Sequence, residues 1–135
     1  MKELSIPATV ENIQHVTAFV NEQLEAYCCP PRAQLQIELA IDELFANIAH
    51  YAYAPEIGSA TVRVEVVQEP LAVIITFIDQ GVPFDPLKAD APDITLSAQE
   101  RQIGGLGIYM VKQSMDEISY EYRNGQNILT IKKHI

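Results

Sequence analysis

The sequence has no tryptophan, only two cysteines, few basic residues and no long apolar run. Each shortage excludes something. Cys28 and Cys29 are neighbours, and a bridge between adjacent residues is strained. With no paired cysteine framework both thiols are expected to stay reduced, as in a cytosolic protein. The longest uninterrupted aliphatic stretch is Leu71–Ile75, far short of the ~20 residues that span a bilayer. The opening residues carry Glu3 and Glu11 and lack the apolar core of a signal peptide. The expectation is therefore a cytoplasmic protein with no membrane contact. Basic charge is the scarcest of all: 9 Lys+Arg face 18 Asp+Glu, for a net charge of −9. Between Arg32 and Lys88 the one Lys or Arg is Arg63. Nucleic acid is excluded as a partner, because it is held by clustered cations that displace counterions. An anionic ligand near the middle of the chain would have to be held by backbone dipoles or a metal.

What is present fits one domain over residues 1–135, long enough to bury an ordinary core without staples. Lys2 to Ile6 reads as a short strand ended by Pro7. Thr9 is placed to cap a helix in which Val10, Ile13, Val16, Val20, Leu24 and Tyr27 recur at helical spacing. Pro30-Pro31 breaks it and opens a second helix from about Arg32 to Ala54, apolar on most faces and so expected to be buried. Ala60–Val67 alternates as a strand with one wet side, and Leu71–Ile78 follows as another. Gly81 to Gln102 is a long loop rich in Pro and Asp. A short helix opens at Gly104 and runs to about Met115. Two final strands flank Asn124-Gly125, a strong hairpin signal. Strand pairs joined by tight turns run antiparallel. The expected fold is thus α+β: a two-layer sandwich, mostly antiparallel sheet, with helices on one face.

Three features break the apolar pattern. Glu43 and Asn47 lie four apart on the second helix and share a face with Gln36, Ala40 and His50. They read either as a hydrogen-bonded structural pair or as a general base beside a ligand for hard Mg²⁺. Asp79 falls on the same strand face as Val73, Ile75 and Phe77. It is either a turn residue ending the strand or an acceptor at the bottom of a pocket. Gly104-Gly105-Leu106-Gly107 precedes a helix, and serves either to close a loop or to bring backbone N–H groups to a phosphate. It does not have the P-loop spacing. The three histidines lie in unrelated elements, so no zinc site is indicated.

In order, EL-x-x-N-x-x-HYAY (Glu43, Asn47, His50 to Tyr53), D-x-G-x-P-F-D-P (Asp79 to Pro86) and GGLG-I-x-x-V (Gly104 to Val111) resemble the N, G1 and G2 boxes of the GHKL ATP-binding superfamily. Within it the short chain resembles the bacterial anti-sigma-factor serine/threonine kinases of RsbW type. The resemblance implies the Bergerat α/β sandwich, with ATP and Mg²⁺ as cofactors. It implies Glu43 as catalytic base, Asn47 as Mg²⁺ ligand and Asp79 as acceptor for the adenine amine. Gly81 would let the base lie close, and Gly104, Gly105, Leu106 and Gly107 would form the phosphate-binding turn. Thr130 would bond near adenine, and residues 83–103 would form the ATP lid, carrying Lys88 and Arg101. The implied function is ATP-dependent phosphorylation of a Ser or Thr on an anti-anti-sigma antagonist, with sequestration of a sigma factor and possible homodimerisation. The alternative is an ATP/ADP-binding partner-switching module with little or no kinase activity. A detached histidine-phosphorylating sensor domain fits less well, because no dimerisation helix is present.

Overall fold

A computed structural model describes residues 1–88 and 105–135. Of the residues anticipated for the site, Gly104 and Arg101 lie outside these. So do the expected lid beyond Lys88 and the side chains of Lys88 and Leu106.

The elements follow the sequence signals with shifts at their ends. Strand β1 is Lys2–Pro7. Thr9 has the extended backbone of a cap, but its hydroxyl caps nothing. Instead the Asn12 amide donates to the Pro7 carbonyl at 2.8 Å. A 3₁₀ turn, Val10–Asn12, then leads into helix α1, Ile13–Leu24. Its i, i+4, i+8 residues Val16, Val20 and Leu24 are buried. Cys28, in a left-handed conformation with φ 51°, turns the chain out of it. Pro31 is the first residue of α2, Pro31–Asn47, where its missing N–H costs nothing.

Helix α2 buries Ile37, Ala40, Ile41, Leu44 and Phe45. The uniform helix expected to Ala54 does not persist: Ile48–Ala52 form a wider π turn. The last carbonyls of a helix need partners outside it, and the Ala52 carbonyl finds one in the Val82 N–H at 2.9 Å.

Strands β2 (Ser59–Val67) and β3 (Ala72–Asp79) form one hairpin. After α3 (Gly105–Ser114), strands β4 (Glu117–Arg123) and β5 (Gln126–His134) form the other. Asn124 and Gly125 both take positive φ, 56° and 77°, as the turn of a two-residue hairpin requires. The sheet order is β1-β2-β3-β5-β4 and every pairing is antiparallel. The expected α+β sandwich is therefore present.

Strand alternation sorts the sheet into two faces. Val62, Val64, Ile75, Phe77, Leu129 and Ile131 point to the helices and join the buried cluster with Val16, Ile41, Phe45 and Val111. Each such side chain contributes on the order of 1.5–3 kcal/mol by leaving water. The other face carries an Arg63–Glu3 ion pair at 2.7 Å and a Ser5–Thr61 hydrogen bond at 2.9 Å. The core thus fixes where the polar exceptions on the helix face must lie.

Candidate functional site

Two buried polar side chains stand among the apolar residues of the helix-facing sheet: Asp79 and Asn127, each 6% exposed. They are direct cross-strand partners, Asp79 at the end of β3 and Asn127 second in β5. Asp79 Oδ1 accepts from the Gly81 N–H and from Asn127 Nδ2, both at 2.9 Å. Asn127 Nδ2 also donates to the Val82 carbonyl at 2.9 Å. Asn127 Oδ1 accepts from the Phe84 N–H at 3.2 Å and from the Tyr120 hydroxyl. Nearby, Tyr53 donates its hydroxyl to the Ser59 carbonyl at 2.6 Å and accepts from the Gln80 N–H at 2.7 Å. Burial and the Asp79 charge push the Tyr53 hydroxyl up, partly offset by its bond from Gln80. Burial does the same to Tyr120. Both phenols therefore stay neutral donors.

Above this floor is a narrow cleft of about 40 Å³ that opens to solvent. Asn47, Ile48 and Tyr51 line it from the helix side, Phe77 and Leu129 from the sheet. Tyr51 and Phe84 stand exposed at its edge, ring centres 6.0 Å apart. The π turn is what brings Tyr51 and Ala52 to the cleft, an arrangement often found at functional sites. No Lys or Arg is among the described residues lining it.

Glu43 is one helical turn before Asn47 and half-buried. Burial pushes its carboxyl above the ordinary range, which makes the carboxylate a readier proton acceptor. Its carboxylate rests against Gly107, where any Cβ would overlap it. Helix α3 therefore begins beside Glu43, and its first-turn N–H groups, from Gly105 to Gly107, have no partner within the helix. Lys112 anchors the other side, donating to the Leu87 carbonyl at 2.7 Å.

Glu43, Asn47, Asp79, Gly81 and the start of α3 at Gly105, Leu106 and Gly107 are thus brought to one region. At Gly81 a Cβ would collide with the Ala52 backbone. Glycine there lets two backbones meet. Thr130 is not at the site. It pairs with Thr76 and Ser119 on the sheet's open face, because the alternation that turns Asn127, Leu129 and Ile131 inward turns Thr130 outward. The polar residue that β5 contributes is Asn127. Counting by twos from Ile131 would have found it, but next to Asn124-Gly125 it reads as part of the turn.

The model of the histidine kinase-like ATPase domain matches residues 6–133. The chain belongs to this family. Membership carries ATP use with it and agrees with the resemblance read from the three boxes. The chain is similar to the serine/threonine-protein kinase BtrW of Bordetella bronchiseptica. The two are 30% identical over 103 residues, 76% of this chain and 72% of that protein. It is also similar to the serine-protein kinase RsbW of Bacillus cereus, 28% identical over 71% of this chain. That match spans 61% of the Bacillus protein. Among solved structures, the SiaB–SiaC complex of Pseudomonas aeruginosa contains a chain similar in fold. Its TM-score is 0.63 and its identity 16%, covering 100% of this chain and 90% of that one. The histidine kinase AdeS of Acinetobacter baumannii shares the fold at a TM-score of 0.55 and 15% identity, covering 99% of this chain and 68% of that one.

Proposed function

We propose that this histidine kinase-like ATPase domain is an ATP-dependent serine/threonine protein kinase acting as an anti-sigma regulatory factor. The observation that carries the reading is the position of Glu43: one turn from Asn47 at the cleft, and against Gly107 at the mouth of α3. That places a proton acceptor beside first-turn N–H groups that have no partner within their helix, a setting that favours phosphate. In the transfer, the Glu43 carboxylate takes the proton of an incoming Ser or Thr hydroxyl. The hydroxyl oxygen bonds to the γ-phosphorus of ATP, the bond to the β–γ bridging oxygen breaks, and ADP leaves. Such chemistry rests mainly on positioning and charge stabilisation.

The residues present fit Mg²⁺. Among the described residues no three His, Cys, Asp or Glu side chains cluster into an all-protein metal cage. Mg²⁺ in nucleotide sites is held by one or two protein oxygens together with substrate phosphates and water. The Asn47 amide oxygen would supply such a donor, and the metal would supply a positive charge that the described residues of the lining lack. Asp79 receives the adenine amine, and Tyr51 and Phe84 offer faces to the ring.

The phosphoryl acceptor in this reading is an anti-anti-sigma-type protein, the sequestered partner is a sigma factor, and the chain works as a cytoplasmic homodimer. The names of the BtrW and RsbW relatives support the serine/threonine specificity. The test is a pull-down with and without ATP, then γ-labelled ATP with the captured protein and mapping of the modified residue. Acid-stable label on Ser or Thr is expected. Acid-labile label on His would contradict the reading. ATP binding with no transfer to any bound partner would make the protein a nucleotide-dependent partner switch instead.

A further inference from the structure

We propose that Asn127 is the positioning residue that makes the cleft select an exocyclic amine on the base. The inference rests on the adenine-nucleotide reading above. A carboxylate at the end of a strand can rotate, and either oxygen can turn toward a ligand or toward the protein. Here rotation is blocked from one side. Asp79 Oδ1 is held by two donors, the Gly81 N–H and Asn127 Nδ2, each at 2.9 Å. Among the described residues no protein group bonds Oδ2, and Oδ2 is not one of the buried atoms left without a partner. It is the oxygen left for the cleft, and it can only accept.

Asn127 is itself pinned, which is why it can pin Asp79. Its two amide hydrogens go to acceptors, Asp79 Oδ1 and the Val82 carbonyl. Its oxygen takes two donors, the Phe84 N–H and the Tyr120 hydroxyl. The reverse amide orientation would set an oxygen against Asp79 and Val82, and an NH₂ against an N–H. All four contacts therefore agree on one orientation. A base bearing an amine at the contacted position gains a charge-assisted bond to Oδ2. A base bearing a carbonyl there meets a fixed acceptor and leaves it unpaired, the stronger form of discrimination.

The test is equilibrium binding of ATP and of ITP, each with Mg²⁺, to the full chain. ITP carries a carbonyl where ATP carries its amine, and the triphosphate is the same. Wild type is expected to prefer ATP by about 30-fold or more, the scale of an unpaired buried polar group. Asn127→Leu and the smaller Asn127→Ala remove the donor to Asp79 and are expected to bring the preference below about threefold, mainly by weakening ATP. The Ala variant carries the test if the Leu variant does not fold. If a folded variant loses both nucleotides by the same factor, or keeps the wild-type ratio, Asn127 serves only the fold and the proposal is overturned. Wild type that binds ATP and ITP equally also overturns it. Wild type that binds neither overturns the adenine-nucleotide reading itself.

Discussion

Gly107 and Glu43 occupy space that a single methyl group would contest. A Cβ at position 107 overlaps the far end of the Glu43 side chain, which can swing away at little cost to the fold. Gly107→Ala is therefore expected to fold normally and to lose transfer activity by about 10- to 100-fold, since misplaced bases forfeit much of general-base catalysis. Steady-state kinetics beside a thermal melt would check both halves. The Glu43 carboxyl makes a second case. Burial raises its pKa above the ordinary value of 4.5, so the charged form is the one that the folded state disfavours. Whatever stability the group contributes is complete below its unfolded pKa and is lost as pH rises through the raised folded one. Glu43→Gln should accordingly melt no lower than wild type at neutral pH, and its advantage should shrink as pH falls toward 4.5. A melting series across that range in which wild type is the more stable at neutral pH would contradict the assignment. Glu43, Asn47 and Asp79 were legible in the sequence because each interrupts an apolar period. Asn127 was not, because an amide beside a turn needs no second explanation. Thr130 illustrates the opposite error, a residue taken from a family pattern one strand position out of phase with the cleft.

At the level of elements, the strands and hairpins were readable because period-two burial and Asn124-Gly125 leave few alternatives. The end of α2 was not. Its composition continues helical to Ala54, yet the chain widens at Ile48–Ala52. Its Ala52 carbonyl is claimed by Val82, 30 residues later by number. No local pattern reports such a contact. Gly81 is the residue that permits it, and Gly81→Ala would drive a methyl into the Ala52 backbone, which has no flexible end to yield. Overpacking of this kind costs about 1–3 kcal/mol. A urea titration should show the midpoint fall by the corresponding amount, with nucleotide affinity falling too because Val82 is tied to Asn127. An unchanged midpoint would mean that the two segments separate without cost.

For the whole molecule, the scarcity of basic residues takes on a structural meaning. The sheet's Arg63 is spent on Glu3 at the open face, and Lys112 on the Leu87 carbonyl. Neither is offered to the cleft. An acidic domain with a net charge of −9 can still take a triphosphate if helix-end N–H groups and a bound divalent cation replace cationic side chains. Among the described residues, α1, α2 and α3 pack against one face of the five-stranded sheet, and in the proposed site α2 supplies Glu43 and Asn47, α3 the N–H groups, and β3 with β5 the floor. In the proposed function that assembly moves a phosphoryl group with Glu43 as its base. The most direct measurement is single-turnover transfer from γ-labelled ATP to the cognate partner by wild type and by Glu43→Ala, at saturating ATP and Mg²⁺. The account predicts at least a ~100-fold slower transfer with ATP affinity within about threefold of wild type, since binding and base are separate parts of the cleft. Equal transfer rates in the two proteins would contradict it.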